Sequence, residues 1–511
     1  MSHKKQISLV FSEQNPITMW PAVLFFSVYF LRISSACDFA PSPPQETGIV
    51  CRVTKPAALV LNEKTSEVIQ AAFRHASFPN ITGEKSVRFL GTVAYGLTNI
   101  QISNLTIEHS EVELKEDDAV EITIKNVSAS FKGTLNYEYG TWFVSVEQSI
   151  DFEIFSSTDL QVNTKLTCGK NRVAADTSDC YLTFHKLLLH LHGNKEPGWF
   201  KQLFTDLISF TLKLVLKSQI CKEINYVANL LADFIQDRAE NFLSYGDIGM
   251  NIDITSFPVI KGNYMESYHK GLLAYKNLTV SYNASTFSPS LLTDNRMLYF
   301  WFSEQVLDSL VLAYFLDQYL VLTLTRVELQ DIFKKDYDES HHEFLHEILQ
   351  ERPANHIAAK VWSLTAPRIK ITPKGTIVTA SVAVQINTPS SANLYFETDI
   401  VTAVQTSYAD KKLMLHPTDP LVHIKNVRSS LSVSWDKEQM SQFLQTVVPE
   451  FGIPAIVKRL EPALTSLMDS KGLYLFEIIN PEIIPHEGYL IVQLDFGFPH
   501  HLLVDFLKRT L

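Results

Sequence analysis

Motifs that signal phosphate binding or hydrolysis are missing from this 511-residue chain. It contains no GxSxG nucleophile elbow, no GxxxxGK(S/T) loop and no GxGxxG loop. These absences disfavour an esterase of the GxSxG class and a phosphate-binding site. Charged residues make up only 19% of the chain, against 46% hydrophobic residues. The composition and the missing motifs favour a function without bond-breaking chemistry.

Cysteine is also scarce, and no two cysteines form a CxxC unit, so a zinc cluster is disfavoured. Five cysteines in so long a chain do not make a disulfide scaffold, and the odd number leaves at least one of them unpaired or joined to another chain. A bridge between Cys180, at the start of a strand-like run, and Cys221, in a long helical pattern, would join sheet to helix. The five are Cys37, Cys51, Cys168, Cys180 and Cys221.

Long apolar runs are confined to the amino terminus. Lys4 and Lys5 precede the apolar run 19–31, and small residues at 34–36 offer a cleavage site, so residues 1–36 are predicted to be a signal peptide. No later run reaches about 18 uncharged apolar residues, so the mature chain is expected to be soluble and secreted. Secretion would expose five N-x-S/T sequons to glycosylation, at Asn80, Asn104, Asn126, Asn277 and Asn283.

Basic residues are outnumbered, 44 to 55, which gives a net charge of −11. Removal of the signal peptide would make the chain more acidic, because that segment holds three basic residues and one acidic residue. This balance argues against nucleic acid or an anionic membrane as the main partner.

The order of predicted elements occurs twice. A helix at 61–77 precedes strands with period-2 patterning and a long amphipathic helix at 199–234, with an expected break near Cys221. A helix at 303–316 then precedes further strands and a helix at 438–469, which Pro449 and Pro454 should kink or split. The pattern predicts an α+β protein with a duplicated domain, the junction lying within 247–298. Two barrels or strongly curved sheets, each plugged by a long helix, would pack this pattern.

Histidine supplies the only catalytic signal. Residues 342–346 read HEFLH, an HExxH match that on a helix would place two imidazoles to bind zinc beside Glu343 as a general base. Leu349 stands where an extended motif needs glycine, and no third ligand motif follows, so an exposed helix is the favoured alternative. Three further histidines at alternate strand positions are better explained by a solvated strand face than by a metal site: His185, His190 and His192.

The last residues, 498–511, predict a short amphipathic helix at the free end of the chain. Two alternatives stand for its apolar stripe: packing on the body of the protein, or a lid over an apolar opening. The stripe consists of Leu502, Leu503, Phe506 and Leu507.

Several long stretches resemble the lipid-transfer and lipopolysaccharide-binding family that includes the bactericidal permeability-increasing proteins. The resemblance covers nearly all of residues 48–511. It is carried by GIVCRVTKPAALVLN (48–62), GLTNIQISNLTI (96–107), QSIDFEI (148–154), CYLTFHKLLLHLHG (180–193), the run from EPGWF at 196 to KEIN at 225, RMLYFWFSEQV (296–306), GLYLFEIINPEII (472–484) and DFGFPHHLLVDFLKRTL (495–511).

The resemblance implies an elongated boomerang of two barrel domains, each with a long amphipathic helix, joined by a central antiparallel sheet and followed by a C-terminal amphipathic helix. Its implied boundaries are a signal peptide at 1–36, an N-terminal barrel at 37–229, a central sheet and linker at 230–298, a C-terminal barrel at 299–496 and a lid helix at 497–511.

The resemblance further implies a monomer that exchanges cholesteryl esters, triglycerides and phospholipids between plasma lipoproteins through a hydrophobic tunnel. No bond is cleaved, and lipids are cargo, with no cofactor, metal or nucleic acid. It assigns lipid contacts to Gln236, Arg238, Ser267 and His269, and places Asp495 in a segment needed for neutral-lipid transfer. It also implies a disulfide between Cys180 and Cys221, with Cys37, Cys51 and Cys168 as free thiols.

Alternatives remain for one residue and for the whole chain. Arg238 could bind a phospholipid phosphate or pair with Asp233 or Asp237.

A lipopolysaccharide-binding protein would share the fold, but it is expected to present a strongly basic first domain, which the acidic balance of this chain opposes. A secreted zinc hydrolase would rest on residues 342–346 alone.

Overall fold

The computed structural model of the chain describes residues 37, 46–76, 78–87, 91–107, 109–116, 119–141, 144–192, 198–244, 247–276, 278–279, 285–333, 357–387, 393–430, 436–470 and 477–497. Several predicted features lie outside these residues: the signal peptide, the HExxH match at 342–346, two sequon asparagines (Asn277 and Asn283) and the apolar stripe of the terminal helix.

The first half of the chain forms one curled antiparallel sheet with two helices. Its strands follow the order β2-β3-β5-β6-β7, and β4 pairs with β5. The elements are α1 (Lys55–His75), β2 (Ile81–Val87), β3 (Gly91–Thr106), β4 (His109–Lys115), β5 (Ala119–Thr141), β6 (Val144–Gly169), β7 (Arg172–Leu191) and α2 (Gly198–Phe242).

Register shifts bend these long strands. The pairing of β5 with β6 shifts between Ile124 and Val127, and the pairing of β3 with β5 shifts twice. Bulges of this kind increase the local twist of a sheet and let it curl. The concave side holds a core that includes Leu97, Ile124, Leu135 and Ile154, and α2 packs into it through residues such as Leu216.

The second half repeats this plan. Its strands follow the order β14-β15-β17-β18-β19, and β16 pairs with β17. The elements are α3 (Glu304–Leu316), β14 (Val321–Thr325), α4 (Arg326–Phe333), β15 (Ile357–Ser363), β16 (Arg368–Thr372), β17 (Gly375–Asn387), β18 (Asn393–Ala409), β19 (Lys412–Ser429), α5 (Lys437–Val447) and α6 (Ile453–Ser470).

Two helix predictions had different outcomes. The kink expected at Pro449 and Pro454 is confirmed, since a π-helical turn at Val448–Gly452 separates α5 from α6. The break expected near Cys221 is wrong, because α2 continues over 45 residues. Beyond its first residue α2 contains no glycine or proline, so nothing in its backbone interrupts the helical hydrogen bonds.

A central antiparallel sheet connects the two halves. Its order is β20-β21-β13-β1-β10-β9, so β1 from the start of the chain lies between strands from the middle. The strands are β1 (Ile49–Thr54), β9 (Val259–Ile260), β10 (Tyr264–His269), β13 (Leu298–Ser303), β20 (Glu477–His486) and β21 (Tyr489–Gly497). These strands come from both sides of the predicted domain boundaries at 229 and 298. The boundaries themselves remain predictions.

A small three-stranded sheet lies in the same linker region. It follows the order β12-β11-β8 and consists of β8 (Ile248–Asn251), β11 (Leu272–Tyr275) and β12 (Leu278–Thr279). None of the helices in the described part of the chain is long and apolar enough to cross a membrane.

Two disulfides are present, one more than the resemblance implies. Cys180 on β7 is joined to Cys221 on α2, with a Cα–Cα distance of 5.8 Å. Cys37 is joined to Cys168, with a Cα–Cα distance of 6.0 Å. The expectation that Cys37 and Cys168 are free thiols is therefore wrong, because the fold brings two cysteines 131 positions apart within bonding range. Cys51 alone is free.

Candidate functional site

The central sheet has two different faces. Along β1, Val50, Arg52 and Thr54 are fully buried, whereas Cys51 and Val53 between them are only half-buried. Successive side chains of a strand point to opposite faces, so burial alternates with the pleat. One face is sealed, and the other keeps accessible surface.

The half-buried face is almost entirely apolar, and we refer to it as the apolar sheet face. Cys51 pairs with Ser267 on β10 and with Phe300 on β13, and Phe300 pairs with Val492 on β21. The Phe300 and Phe302 rings stack with centroids 6.1 Å apart. Its half-buried residues are Cys51, Val53, Met265, Ser267, Leu298, Phe300, Phe302, Leu490, Val492 and Leu494. Ile49 and His269 lie on the same side and are buried.

Cys51 lies in the middle of this face. The pKa of its thiol is raised to about 12, mainly because the surrounding protein excludes water and to a lesser degree because the Glu266 carboxylate is near. The residue nevertheless keeps some accessible surface. Its apolar neighbours make the face suited to contact with an apolar ligand.

The opposite, covered face holds a buried ion pair that the sequence did not reveal. Arg52 Nε donates to Glu266 Oε1 at 2.8 Å, and the Tyr268 hydroxyl donates to Glu266 Oε2 at 3.0 Å. The remaining Arg52 donors bind carbonyl oxygens of the loop 285–297, namely those of Pro289, Leu292 and Thr293. The pair therefore fastens this loop over the sheet and keeps water from the covered face.

Ser267 and His269 lie on β10, on the same side of the sheet as Cys51. His269 Nδ1 donates to the Ile252 carbonyl at 2.8 Å, which leaves Nε2 to accept from the Ser267 hydroxyl at 2.9 Å. The pKa of His269 is lowered, mainly by burial, against the opposing effect of the Ile252 hydrogen bond. The imidazole is therefore neutral at physiological pH, and the Ser267–His269 pair adds a small polar spot to an apolar surface.

Gln236 serves a structural purpose in α2. Its side-chain amide accepts from the Val173 N–H and donates to the Val173 carbonyl, both at 2.8 Å. Asn229 binds the backbone of Ala175 in the same two-way manner, and Asn225 accepts from the Thr177 N–H. These three amides, here called the α2 amide ladder, satisfy the free edge of β7.

The second half has a counterpart of this ladder. The Leu415 N–H donates to Glu461 Oε1 at 2.7 Å, and the Leu413 N–H donates to Thr465 Oγ1 at 3.1 Å. Both acceptors lie on α6, and both donors lie on β19, the last strand of its sheet. In each half the final helix thus covers the final edge strand, which supports the predicted duplication and removes an edge open to aggregation.

Arg238 lies near the end of α2 and is exposed. Its guanidinium lies 5.0 Å from the centroid of the Phe234 ring. Asp237, one of the expected alternative partners, binds Arg172 at 2.7 Å instead. No ion pair engages Arg238 within the described residues, so its charge faces solvent beside an aromatic ring.

Asp495 closes the end of the central sheet. Its Oδ2 binds Arg296 Nη1 at 3.0 Å, and its Oδ1 accepts from the Met297 N–H at 3.0 Å. Arg296 also contacts Glu482 on β20. Asp495 therefore ties β21 to the start of β13 two residues before the described part of the chain ends.

The described sequon asparagines and the three histidines of β7 and its end lie on the surface. Asn80, Asn104 and Asn126 are exposed. His185, His190 and His192 are exposed as well, which confirms the solvated strand face, and His185 Nε2 lies 2.7 Å from Asp159 Oδ2. Across the described ranges, no three His, Cys, Asp or Glu side chains are grouped to hold a metal ion.

Family models match both halves of the chain. Residues 59–237 match the N-terminal domain of the LBP / BPI / CETP family, and residues 246–498 match its C-terminal domain. This chain belongs to the LBP / BPI / CETP family. The central sheet described above is thus built mainly from the C-terminal family domain, with β1 contributed from before the N-terminal match.

Two relatives within the LBP / BPI / CETP family are similar over almost the whole chain. Cholesteryl ester transfer protein from Gallus gallus is 54% identical over 488 residues, 94% of this chain and 96% of the relative. Cholesteryl ester transfer protein from Homo sapiens is 50% identical over 493 residues, 95% of this chain and 99% of the relative. Lipopolysaccharide-binding protein from Rattus norvegicus is only 23% identical, over 70% of this chain and 75% of the relative.

Proposed function

We propose that this protein exchanges cholesteryl esters and triglycerides, together with phospholipids, between plasma lipoproteins. The observation that carries the proposal is the apolar sheet face, a half-buried apolar surface built from strands of distant parts of the chain. The 54% identity to a cholesteryl ester transfer protein supports cholesteryl ester as the apolar cargo. The interior is proposed to form part of a hydrophobic tunnel.

The physical need for such a tunnel is large. A sterol ester exposes several hundred Å² of apolar surface, so its passage through water costs on the order of 10 kcal/mol at about 25 cal/mol per Å². A protein lined by residues such as Phe300 and Val492 removes most of this barrier. Since transfer breaks no bond, the protein needs no nucleophile or cofactor, and we propose that it is not an enzyme.

Polar residues of α2 and β10 are proposed to contact phospholipid. Arg238 is suited to a phosphate group, because its guanidinium is exposed and Phe234 restricts its orientation. The Ser267–His269 pair offers a hydrogen-bonding group beside the apolar surface. Gln236 is a weaker candidate, since its amide is engaged with the Val173 backbone.

The cellular setting follows from the same proposal. The protein is proposed to be secreted into plasma as a monomer after removal of residues 1–36, with glycans on some of its five sequons. Lipoprotein particles would be its partners, and nucleic acid would not. Residues 497–511 are proposed to form the lid, with Leu502, Leu503, Phe506 and Leu507 facing the tunnel opening and Asp495 preceding it.

A transfer assay tests this function. Labelled cholesteryl ester and labelled phospholipid would be followed between donor and acceptor particles, with the intact mature chain and with a chain ending at Phe498. We expect ester transfer by the intact chain, a sharp fall on truncation and largely retained phospholipid exchange. Absence of ester transfer by both forms would reject the proposal and favour a lipopolysaccharide binder of the same fold, which the low identity of 23% currently disfavours.

A further inference from the structure

Three strands of the central sheet are joined by one network of side chains at the end near Gly497. Arg296, just before β13, binds Asp495 on β21 and Glu482 on β20. Glu482 Oε2 also accepts from Gln493 Nε2 at 2.8 Å. We call Arg296, Glu482, Gln493 and Asp495 the Arg296 clamp.

The register of β21 decides which of its residues reach the apolar sheet face. One side of this strand presents Leu490, Val492 and Leu494, and the other presents Tyr489, Ile491 and Gln493, followed by Asp495. A slip of one residue would exchange the two faces and turn Gln493 and Asp495 toward the apolar sheet face. The clamp engages both of these side chains in the observed register.

Strand β20 does little to fix the register of β21, because the pairing of the two strands is interrupted between Ile479 and Glu482. The clamp fits one register only. One carboxylate oxygen of Asp495 accepts from the Arg296 guanidinium, and the other accepts from the Met297 N–H. The Phe496 N–H donates to Met297 Sδ at 3.5 Å.

Arg296 also offsets repulsion within the clamp. Hydrogen bonds to Glu482 and then Asp495 raise the pKa of Arg296. Hydrogen bonds from Gln493 and then Arg296 lower the pKa of Glu482, against the opposing charge of Asp495. Loss of Arg296 would leave two carboxylates at one sheet end with no cation between them, which would push β20 and β21 apart.

We propose that Arg296 is a positioning residue for neutral-lipid transfer. By holding Asp495 and Glu482 it fixes β21 in the register that directs Leu494 and Phe496 to the apolar sheet face. The same contact fixes the point at Gly497 from which the chain continues. This inference rests on the proposed function, and it predicts that neutral-lipid transfer depends on Arg296 far more than phospholipid exchange does.

The test compares Arg296→Met, Arg296→Lys and a matched control, Arg368→Met. Arg368 also forms an ion pair, with Asp308 at 3.4 Å, but its side chain is 80% exposed and lies outside the central sheet. Since the contacts of Arg296 are charge-assisted and only partly exposed, we expect Arg296→Met to lower ester transfer about tenfold, with phospholipid exchange within about twofold. Arg296→Lys should be intermediate, and Arg368→Met should leave both transfers unchanged.

A second readout separates positioning from general destabilisation. Hydrogen exchange of the Met297 and Phe496 amides should accelerate in Arg296→Met, while Tyr299 and Trp301 in the same sheet keep their protection. If Arg296→Met fails to fold, Arg296→Met combined with Glu482→Gln removes the repulsion, and its ester transfer should still be low.

The outcomes separate the two proposals. Unchanged ester transfer in Arg296→Met, or an equal fall in both transfers, would overturn the role of Arg296. Absence of ester transfer by the unaltered protein would instead reject the proposed function, whatever the variants do.

Discussion

Cys51 is a free, half-buried cysteine in the middle of the apolar sheet face. It lies between Ser267 and Phe300, and burial raises the pKa of its thiol to about 12. The thiolate is the reactive form, so Cys51 should be almost inert at neutral pH.

Thiol counting tests this environment. We expect a charged, water-soluble thiol reagent to modify no cysteine in the folded protein and one cysteine after unfolding without reductant. Mass spectrometry of the alkylated peptides should place that modification on Cys51. Three modified cysteines would contradict the Cys37–Cys168 bridge.

The Arg52–Glu266 pair is predicted to matter for stability because only 3% of the Arg52 side chain is exposed. Removal of one partner from a buried pair leaves an uncompensated charge, so Arg52→Met should lower the free energy of unfolding by about 3–5 kcal/mol. Arg52→Met combined with Glu266→Gln should recover much of that loss in chemical denaturation. A single variant as stable as the unaltered protein would show that the pair does not hold the loop 285–297.

His269 should make stability depend on pH. Its pKa in the folded protein lies below the ordinary value of 6.5, so the unfolded chain binds a proton first as the pH falls. The free energy of unfolding should therefore decrease as the pH falls below about 6.5. His269→Asn should lose less stability than the unaltered protein between pH 7.5 and 5.5, whereas the exposed His190→Asn should behave like the unaltered protein. Identical pH profiles for His269→Asn and the unaltered protein would reject this role.

At the scale of elements, helices were more predictable than residue roles. The apolar stripe at 61–77 and the prolines at 449 and 454 are local signals, and both correspond to observed helices or a helix break. Gln236 could not be assigned from sequence, because its partner is the backbone of Val173, 63 positions away. The local signal for this role is the set of amides at 225, 229 and 236 on one helical face.

The strand content of the central sheet was equally hard to foresee. The strand 298–303 reads LYFWFS, which is apolar on both faces and lacks the alternation that identifies a half-buried strand. Its partners β1 and β21 lie about 200 or more positions away, and pairing over such distances leaves no local pattern. The Cys37–Cys168 bridge was missed for the same reason.

The α2 amide ladder gives a prediction at this scale. Asn229→Leu removes both bonds to Ala175 and leaves the Ala175 N–H and C=O of the β7 edge unsatisfied, so it should lower the free energy of unfolding by about 1–3 kcal/mol. Hydrogen exchange should show faster exchange along β7. Lys222→Leu, an exposed position on the same helix, should leave both measurements unchanged. Equal effects of the two variants would contradict the ladder.

At the scale of the whole molecule, the central sheet unites the two repeated halves. Strands β1, β13 and β21 pair side by side although they come from the beginning, middle and end of the chain. The apolar sheet face therefore needs β1 from the start of the chain as well as strands from the middle and the end. Under the proposed function, neither half of the chain is expected to carry neutral lipid alone.

The most direct test of this account is the neutral lipid that co-purifies with the protein, quantified by mass spectrometry. We expect cholesteryl ester and triglyceride in at least stoichiometric amount with the unaltered protein. Val492→Trp, which fills the space beside Phe300, should lose most of it, whereas Leu421→Trp, at a position 70% exposed, should keep it. Unaltered protein free of neutral lipid, or a Val492→Trp variant that retains all of it, would contradict the account.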